Sequence, residues 1–198
     1  MLTDSMLTTL PAFLSISGAA IMAGVFFAFS NFVMKALEAL PQRSAILAMQ
    51  WINVTVLNRG FLGIFVGTAV LCSWSAVATV LQAPAGTVSL SAYLSIAGAC
   101  CYLAGTFFVT ARFNVPLNKT LECVDPGAES SRQQWQSYMR EWLRWNHVRT
   151  VTSLLAAMLM ICSLLTGENQ GKLEPPAYAQ LSWQGSGKTN IPWIMSLR

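Results

Sequence analysis

The chain's single imidazole stands in a polar group at the head of an apolar run. Trp145, Asn146, His147, Arg149 and Thr150 open the stretch WLRWNHVRTVTSLLAAMLMICSLL, residues 142–165. An imidazole there has the chemistry of a general base, Arg149 is a permanent cation, and the amide of Asn146 both donates and accepts. A lone histidine in this setting also serves simply as a hydrogen-bonded surface or cap residue. Five further amides, Asn31, Asn53, Asn58, Asn114 and Asn118, lie near the ends of other apolar stretches and with Asn146 make a ring of six. Each has a local explanation: Asn114, two residues before Pro116, could cap a helix; Asn58, before Arg59-Gly60, could mark a turn; Asn31 could end a span.

At about 100° per residue, Asn146, Thr150 and Ser153 form one helical stripe. Arg149 flanks it on one side and His147 on the other, while Trp145 points nearly opposite His147. The stripe with Arg149 or His147 at its margin can therefore face a bundle, and Trp145 can face lipid headgroups. One histidine and no cluster of carboxylates leave too few ligands for an ordinary metal site. No Ser-His-Asp set, phosphate-binding glycine loop or dinucleotide fingerprint is present. Cys72, Cys100, Cys101, Cys123 and Cys162 lack metal-type spacing and read as buried thiols.

The elements that must position these residues are membrane spans. Of 198 residues, 54% are hydrophobic and 10% charged, well below the roughly 25% charged of a soluble domain. A spanning helix needs about 20 apolar residues to cross a hydrocarbon core of about 30 Å. Four segments qualify, at about 11–34, 61–82, 88–111 and 149–166. The last reaches full length only if its helix starts near 142. Asp4 and the absence of Lys or Arg ahead of the first segment argue for a retained span over a cleaved signal.

Basic residues set the expected orientation. Lys35, Arg43 and Arg59 lie in the first connection, and Arg112, Lys119, Arg132, Arg140, Arg144 and Arg149 in the third; the short second connection and the amino terminus have none. Both termini are thus expected outside and the long connections in the cytoplasm. The net charge of +4 is a topology signal, and nothing suggests a nucleic-acid surface.

Two stretches look alike, SISGAAIMAGVFFAFSNFVMKAL from Ser15 and SIAGACCYLAGTFFVTARFNVPL from Ser95, aligning Gly18 and Gly24 with Gly98 and Gly105. A weaker echo sets QWINV over RWNHV and so Asn53 over His147. A true repeat would give two parallel halves with these polar clusters facing across a central axis. Small residues suit helix packing, and Gly63 with Gly67 also offers a face for a homodimer. Trp135, Tyr138, Trp142 and Trp145 recur on one helical face, the pattern of an interfacial anchor. The expected fold is all-α: a four-helix transmembrane bundle of two such repeats, with a short interfacial helix before spans 2 and 4. It forms a single domain over 1–166 followed by a flexible non-cytoplasmic tail, 167–198.

WINVTVLNRGF, TARFNVPLNKTL and WLRWNHVRTVTSLLAAM, in that order among four spans, resemble the anthrone-oxygenase-like family of small integral membrane proteins over roughly 11–165. The resemblance implies oxidation of an anthrone methylene by O2 to a carbonyl, with no conventional cofactor. It implies as partners the bilayer, O2 and a hydrophobic aromatic molecule. On that footing His147 would take a proton. Arg149, with Asn114, Asn118 and Asn146, would hold the enolate oxygen, Asn53 and Asn58 would share the ring, and Trp51 and Trp145 would border a flat substrate. The same residues would equally serve a non-catalytic protein that binds a quinone or another hydrophobic molecule, or a subunit of a membrane assembly.

Overall fold

The computed structural model describes residues 2–82 and 88–173. Five helices account for the described chain. Helix α1 runs Leu2–Ala28 and continues through a π-helical turn, Phe29–Val33, into Met34–Glu38. Pro41, extended at φ −50° and ψ 133°, breaks it, and α2 follows at Gln42–Thr55. Helix α3 is Arg59–Gln82. Helix α4 is Leu90–Cys100, continued through π-helical stretches Cys101–Phe108 and Thr110–Asn114 into Val115–Glu122, and α5 is Ser131–Leu173.

Helices α1, α3, α4 and α5 are long and apolar enough to cross a membrane, over Thr9–Glu38, Arg59–Gln82, Leu90–Glu122 and Ser131–Gly167. Their outward faces are hydrocarbon: Val70, Val77, Leu81, Val151, Leu154 and Met158 are all exposed. Such a surface would aggregate in water and is what a bilayer solvates. The protein is therefore an all-α, multi-pass membrane protein, as the hydropathy of the sequence predicts.

Lipid is as apolar as a leucine side chain, so the spans are joined by close packing and interhelical hydrogen bonds. Gly18 and Gly98, aligned in the two similar stretches, do the same work. Gly18 lies against Thr68 of α3, and a Cβ on Gly98 would stand 2.8 Å from Met160 Cγ and 3.1 Å from the Ala156 carbonyl oxygen of α5. Gly105 lies against Thr152, whereas a Cβ at Gly24, Gly63 or Gly67 would meet nothing within 4 Å. Helix packing thus accounts for only some of the glycines. Tyr102 Oη donates to Phe65 O at 3.1 Å, Ser163 Oγ to Ser91 O at 2.7 Å, and Thr106 pairs with Ser153 at 2.8 Å.

Two apolar cores are stacked along the bundle. One, within the membrane, gathers Met22, Phe26, Phe65, Tyr102, Ala156 and Met160. The other joins the ends of α1 and α4, the start of α5 and the whole of α2 through Met34, Ile46, Met49, Leu121, Trp135 and Trp142. Gln50 ties α2 down by donating to Leu121 O at 2.9 Å and Val124 O at 3.0 Å, and Gln42 Nε2 donates to Ser131 Oγ at 2.6 Å.

Three expectations change here. The aromatic helix before span 4 is the beginning of α5 itself, and Trp135, Tyr138 and Trp142 are buried beneath α2 and α4 instead of anchoring in the interface. Helix α4 does not end near 111, because a π-helical register carries it past Asn114 and Pro116, with Val115 N donating to Thr110 O. The weak pairing of Asn53 with His147 does not make facing clusters, since His147 is exposed while the Asn53 amide nitrogen is buried. Helix α5 extends to Leu173, and the remainder of the expected tail lies outside the described residues.

Candidate functional site

A polar layer separates the two cores, with Arg149 at its centre. The side chain is 5% exposed, although it sits within the span Ser131–Gly167. Its guanidinium is clamped between rings, 4.4 Å from the centroid of Phe26 in the inner core and 5.1 Å from that of Trp142 in the outer one. Nη2 donates to Asn146 Oδ1 at 2.7 Å, and Nη1 reaches Thr110 Oγ1 at 3.4 Å. Nε is buried with no partner, and among the described residues no carboxylate pairs with this cation. Holding an unpaired cation in a low-dielectric site costs several kcal/mol, roughly, and intramembrane charges mark functional positions.

Asn146 fixes the fork. It is fully buried, and its Nδ2 donates to Phe26 O at 2.7 Å, ahead of the π-helical turn of α1, and to Ser30 Oγ at 2.8 Å, within that turn. π-Helical turns recur at functional sites because they re-aim side chains and carbonyls. Ser30 also meets Thr150 Oγ1 at 3.3 Å, so α1 and α5 are cross-linked at this level.

Helix α4 supplies the opposite wall. Asn114 is buried and helical, at φ −73° and ψ −38°, and its side chain caps nothing. Nδ2 donates instead to Trp142 O at 3.2 Å, and Oδ1 is left without a partner. Asn118 Oδ1 accepts from both Tyr138 Oη at 3.0 Å and Trp142 Nε1 at 2.9 Å. Asn53 of α2 adjoins Tyr138, and its buried Nδ2 is also unpartnered. A cleft of about 340 Å³ between α4 and α5 leads to Tyr138 past Leu117, Leu121 and Glu141.

Of the residues singled out by sequence, Arg149, Asn114, Asn118, Asn146 and Asn53 come together. Asn58 does not: its Oδ1 accepts from Phe61 N at 3.0 Å and caps α3, the local alternative. Asn31 is exposed and Trp51 is 68% exposed. Trp145 stacks on Phe113 at the outer face, away from the layer. His147 is exposed as well, for a geometric reason: two residues turn a helix by about 200°, so burying Arg149 turns His147 outward. Sequence reasoning passed over Phe26, Ser30 and Thr110, and took Tyr138 and Trp142 for interfacial anchors. The apolar-polar boundary at Phe29-Ser30-Asn31 was the available signal for the first two. Among the described residues no group of three or more His, Cys, Asp or Glu could hold a metal.

The layer offers two unpartnered donors, Arg149 Nε, held between the Phe26 and Trp142 rings, and Asn53 Nδ2, and one unpartnered acceptor, Asn114 Oδ1. Unpartnered donors beside a buried cation are groups that an anionic oxygen would satisfy. Four apolar spans with a buried cationic layer between two cores define a small multi-pass membrane protein. The chain belongs to the anthrone oxygenase family, whose model matches residues 54–159, from the end of α2 to the middle of α5. No curated protein and no solved structure matches the chain.

Proposed function

We propose that the protein oxidises an anthrone-like aromatic methylene to a carbonyl with O2, without a bound cofactor. Arg149 carries the proposal: a buried cation with an unpartnered Nε and, among the described residues, no carboxylate partner is set up for an anionic oxygen. An anthrone's methylene is acidic because its anion delocalises onto the ring ketone as an enolate. Arg149 would hold that oxygen and Asn114 Oδ1 an adjacent hydroxyl. The carbanion passes an electron to O2, the carbon radical and superoxide combine to a peroxide anion, a proton returned from solvent makes the hydroperoxide, and loss of water leaves the carbonyl. One substrate and one O2 thus give one ketone and one water.

In this scheme the chain's contribution is charge stabilisation and exclusion of water by Phe26 and Trp142. The proton leaves to solvent base through the cleft at Tyr138, and exposed His147 is given no part within the layer. Asn118 and Asn146 act by holding Tyr138, Trp142 and Arg149, since their side chains are committed to those partners. The layer is assigned to the cytoplasmic end, where the basic connections lie. Gly63 and Gly67, unused within the chain, are assigned to contact with a second copy.

Among the described residues no histidine or carboxylate hydrogen-bonds to Arg149, Asn146, Asn114 or Asn118, which favours a second reading, a protein that binds such a molecule without converting it. Oxygen uptake and product formation by detergent-purified protein given an anthrone separate the two. Turnover above autoxidation, lost in Asn114→Leu with the fold retained, is expected. Anthrone bound but not converted would leave the binding protein.

A further inference from the structure

On the outer face of the bundle, clear of the Arg149 layer, a ring of α4 and a ring of α5 stack, with an arginine beside each. Phe113 of α4 and Trp145 of α5 lie ring on ring, with centroids 3.6 Å apart and planes 6° from parallel. Arg112 covers the Phe113 ring at 5.4 Å, and Arg144 covers the Trp145 ring at 5.5 Å. Both arginines are exposed, and among the described residues neither has a hydrogen-bond or ion-pair partner. Glu141, at helical pairing distance from Arg144, lines the cleft between α4 and α5 instead.

The level of the stack is fixed by its neighbours. The exposed apolar side chains of α5 run from Val151 to Leu165, and Phe108 is exposed on α4 one turn before Arg112. Arg144 thus stands beyond the hydrocarbon-facing band of α5 and Arg112 at the edge of that of α4, with Val115 the one large apolar side chain exposed past it, where headgroup phosphates lie and where aromatic residues concentrate. A guanidinium presents paired donors that match phosphate oxygens, and stacking on a ring limits its freedom before binding. The stack contains no acidic group to receive a choline or ethanolamine ammonium.

We infer that Arg112, Phe113, Trp145 and Arg144 form a binding site for the headgroup of an anionic phospholipid of the surrounding bilayer. The headgroup joins α4 to α5 from outside, at the end of the bundle where the polar layer joins them from within. It gives Trp145 a role apart from any substrate, and it stands or falls independently of the proposed oxidation.

The test is native mass spectrometry of the full chain in micelles, titrated with phosphatidylglycerol or phosphatidylcholine. The wild type is expected to retain one phosphatidylglycerol in preference to phosphatidylcholine. Each juxtamembrane arginine contributes about fivefold, so R112Q/R144Q should lower the preference on the order of 25-fold. Trp145→Leu should weaken binding through loss of the stack, and Arg132→Gln, an exposed cation at the start of α5, should leave it unchanged. No preference in the wild type, an unchanged preference in R112Q/R144Q, an equal loss in Arg132→Gln, or displacement of the lipid by soluble glycerol phosphate would each overturn the assignment.

Discussion

Replacing Asn146 by alanine removes three hydrogen bonds from the centre of the polar layer, to Phe26 O, Ser30 Oγ and Arg149 Nη2, all at 2.7–2.8 Å. Arg149 then keeps only the 3.4 Å contact with Thr110. Neutral bonds within a membrane contribute about 0.6–1 kcal/mol each, and the charge-assisted one about 1.5–3. The loss should be about 3–5 kcal/mol. Arg149→Met keeps the packing between Phe26 and Trp142 while removing the charge, and leaves Asn146 Oδ1 unpaired at a cost of about 1–2 kcal/mol. Because the two side chains share one bond, N146A/R149M should be less destabilised than the sum of the single variants, by about 1.5–3 kcal/mol. Denaturation of the purified variants by SDS, followed by circular dichroism in mixed micelles, measures the cycle. Effects additive within about 0.5 kcal/mol would refute the coupling that makes Asn146 the support of Arg149.

Gly98→Ala should destabilise by about 1–3 kcal/mol in the same assay, because the Ala156 carbonyl oxygen 3.1 Å away belongs to a helix backbone and cannot yield. Gly63→Ala meets nothing and should be neutral or stabilising by up to about 1 kcal/mol; loss of a chemically cross-linked dimer in that variant would report a second copy on the Gly63 face. Gln50→Leu removes two bonds that hold α2 on the end of α4, so hydrogen exchange in α2 should accelerate on the order of tenfold or more while the spans stay protected. Unchanged exchange would mean that the apolar contacts of α2 suffice.

The spans were legible because length and hydropathy suffice to make a membrane helix, and all four run where the apolar stretches run. Legible too was the stripe of Asn146, Thr150 and Ser153, since helical phase follows from spacing alone; Asn146 and Ser153 are fully buried and Thr150 is half-buried. The choice between Arg149 and His147 at its margins was not, because it depends on how α5 rotates against α1. The tie from Asn146 to Phe26 O fixes that rotation. Tyr138 and Trp142 looked like interfacial anchors because their apolar partners, Ile46 and Met49, lie on α2, and no periodicity tells which helix folds over which. Asn114 before Pro116 looked like a cap because proline favours a first turn. The π-helical register ahead of it lets α4 continue, which frees the amide for Trp142. Asn58, in an ordinary turn, caps as its sequence suggests.

The proposed placement of the reaction at Arg149, with His147 outside it, is tested most directly by steady-state oxygen uptake with an anthrone, comparing Arg149→Gln with His147→Gln in protein of equal fold content. Loss of the cation that stabilises the oxyanion should lower turnover on the order of 100-fold or more, while the exposed imidazole should be replaceable within about twofold. Full activity in Arg149→Gln, or its collapse in His147→Gln, would contradict the site described.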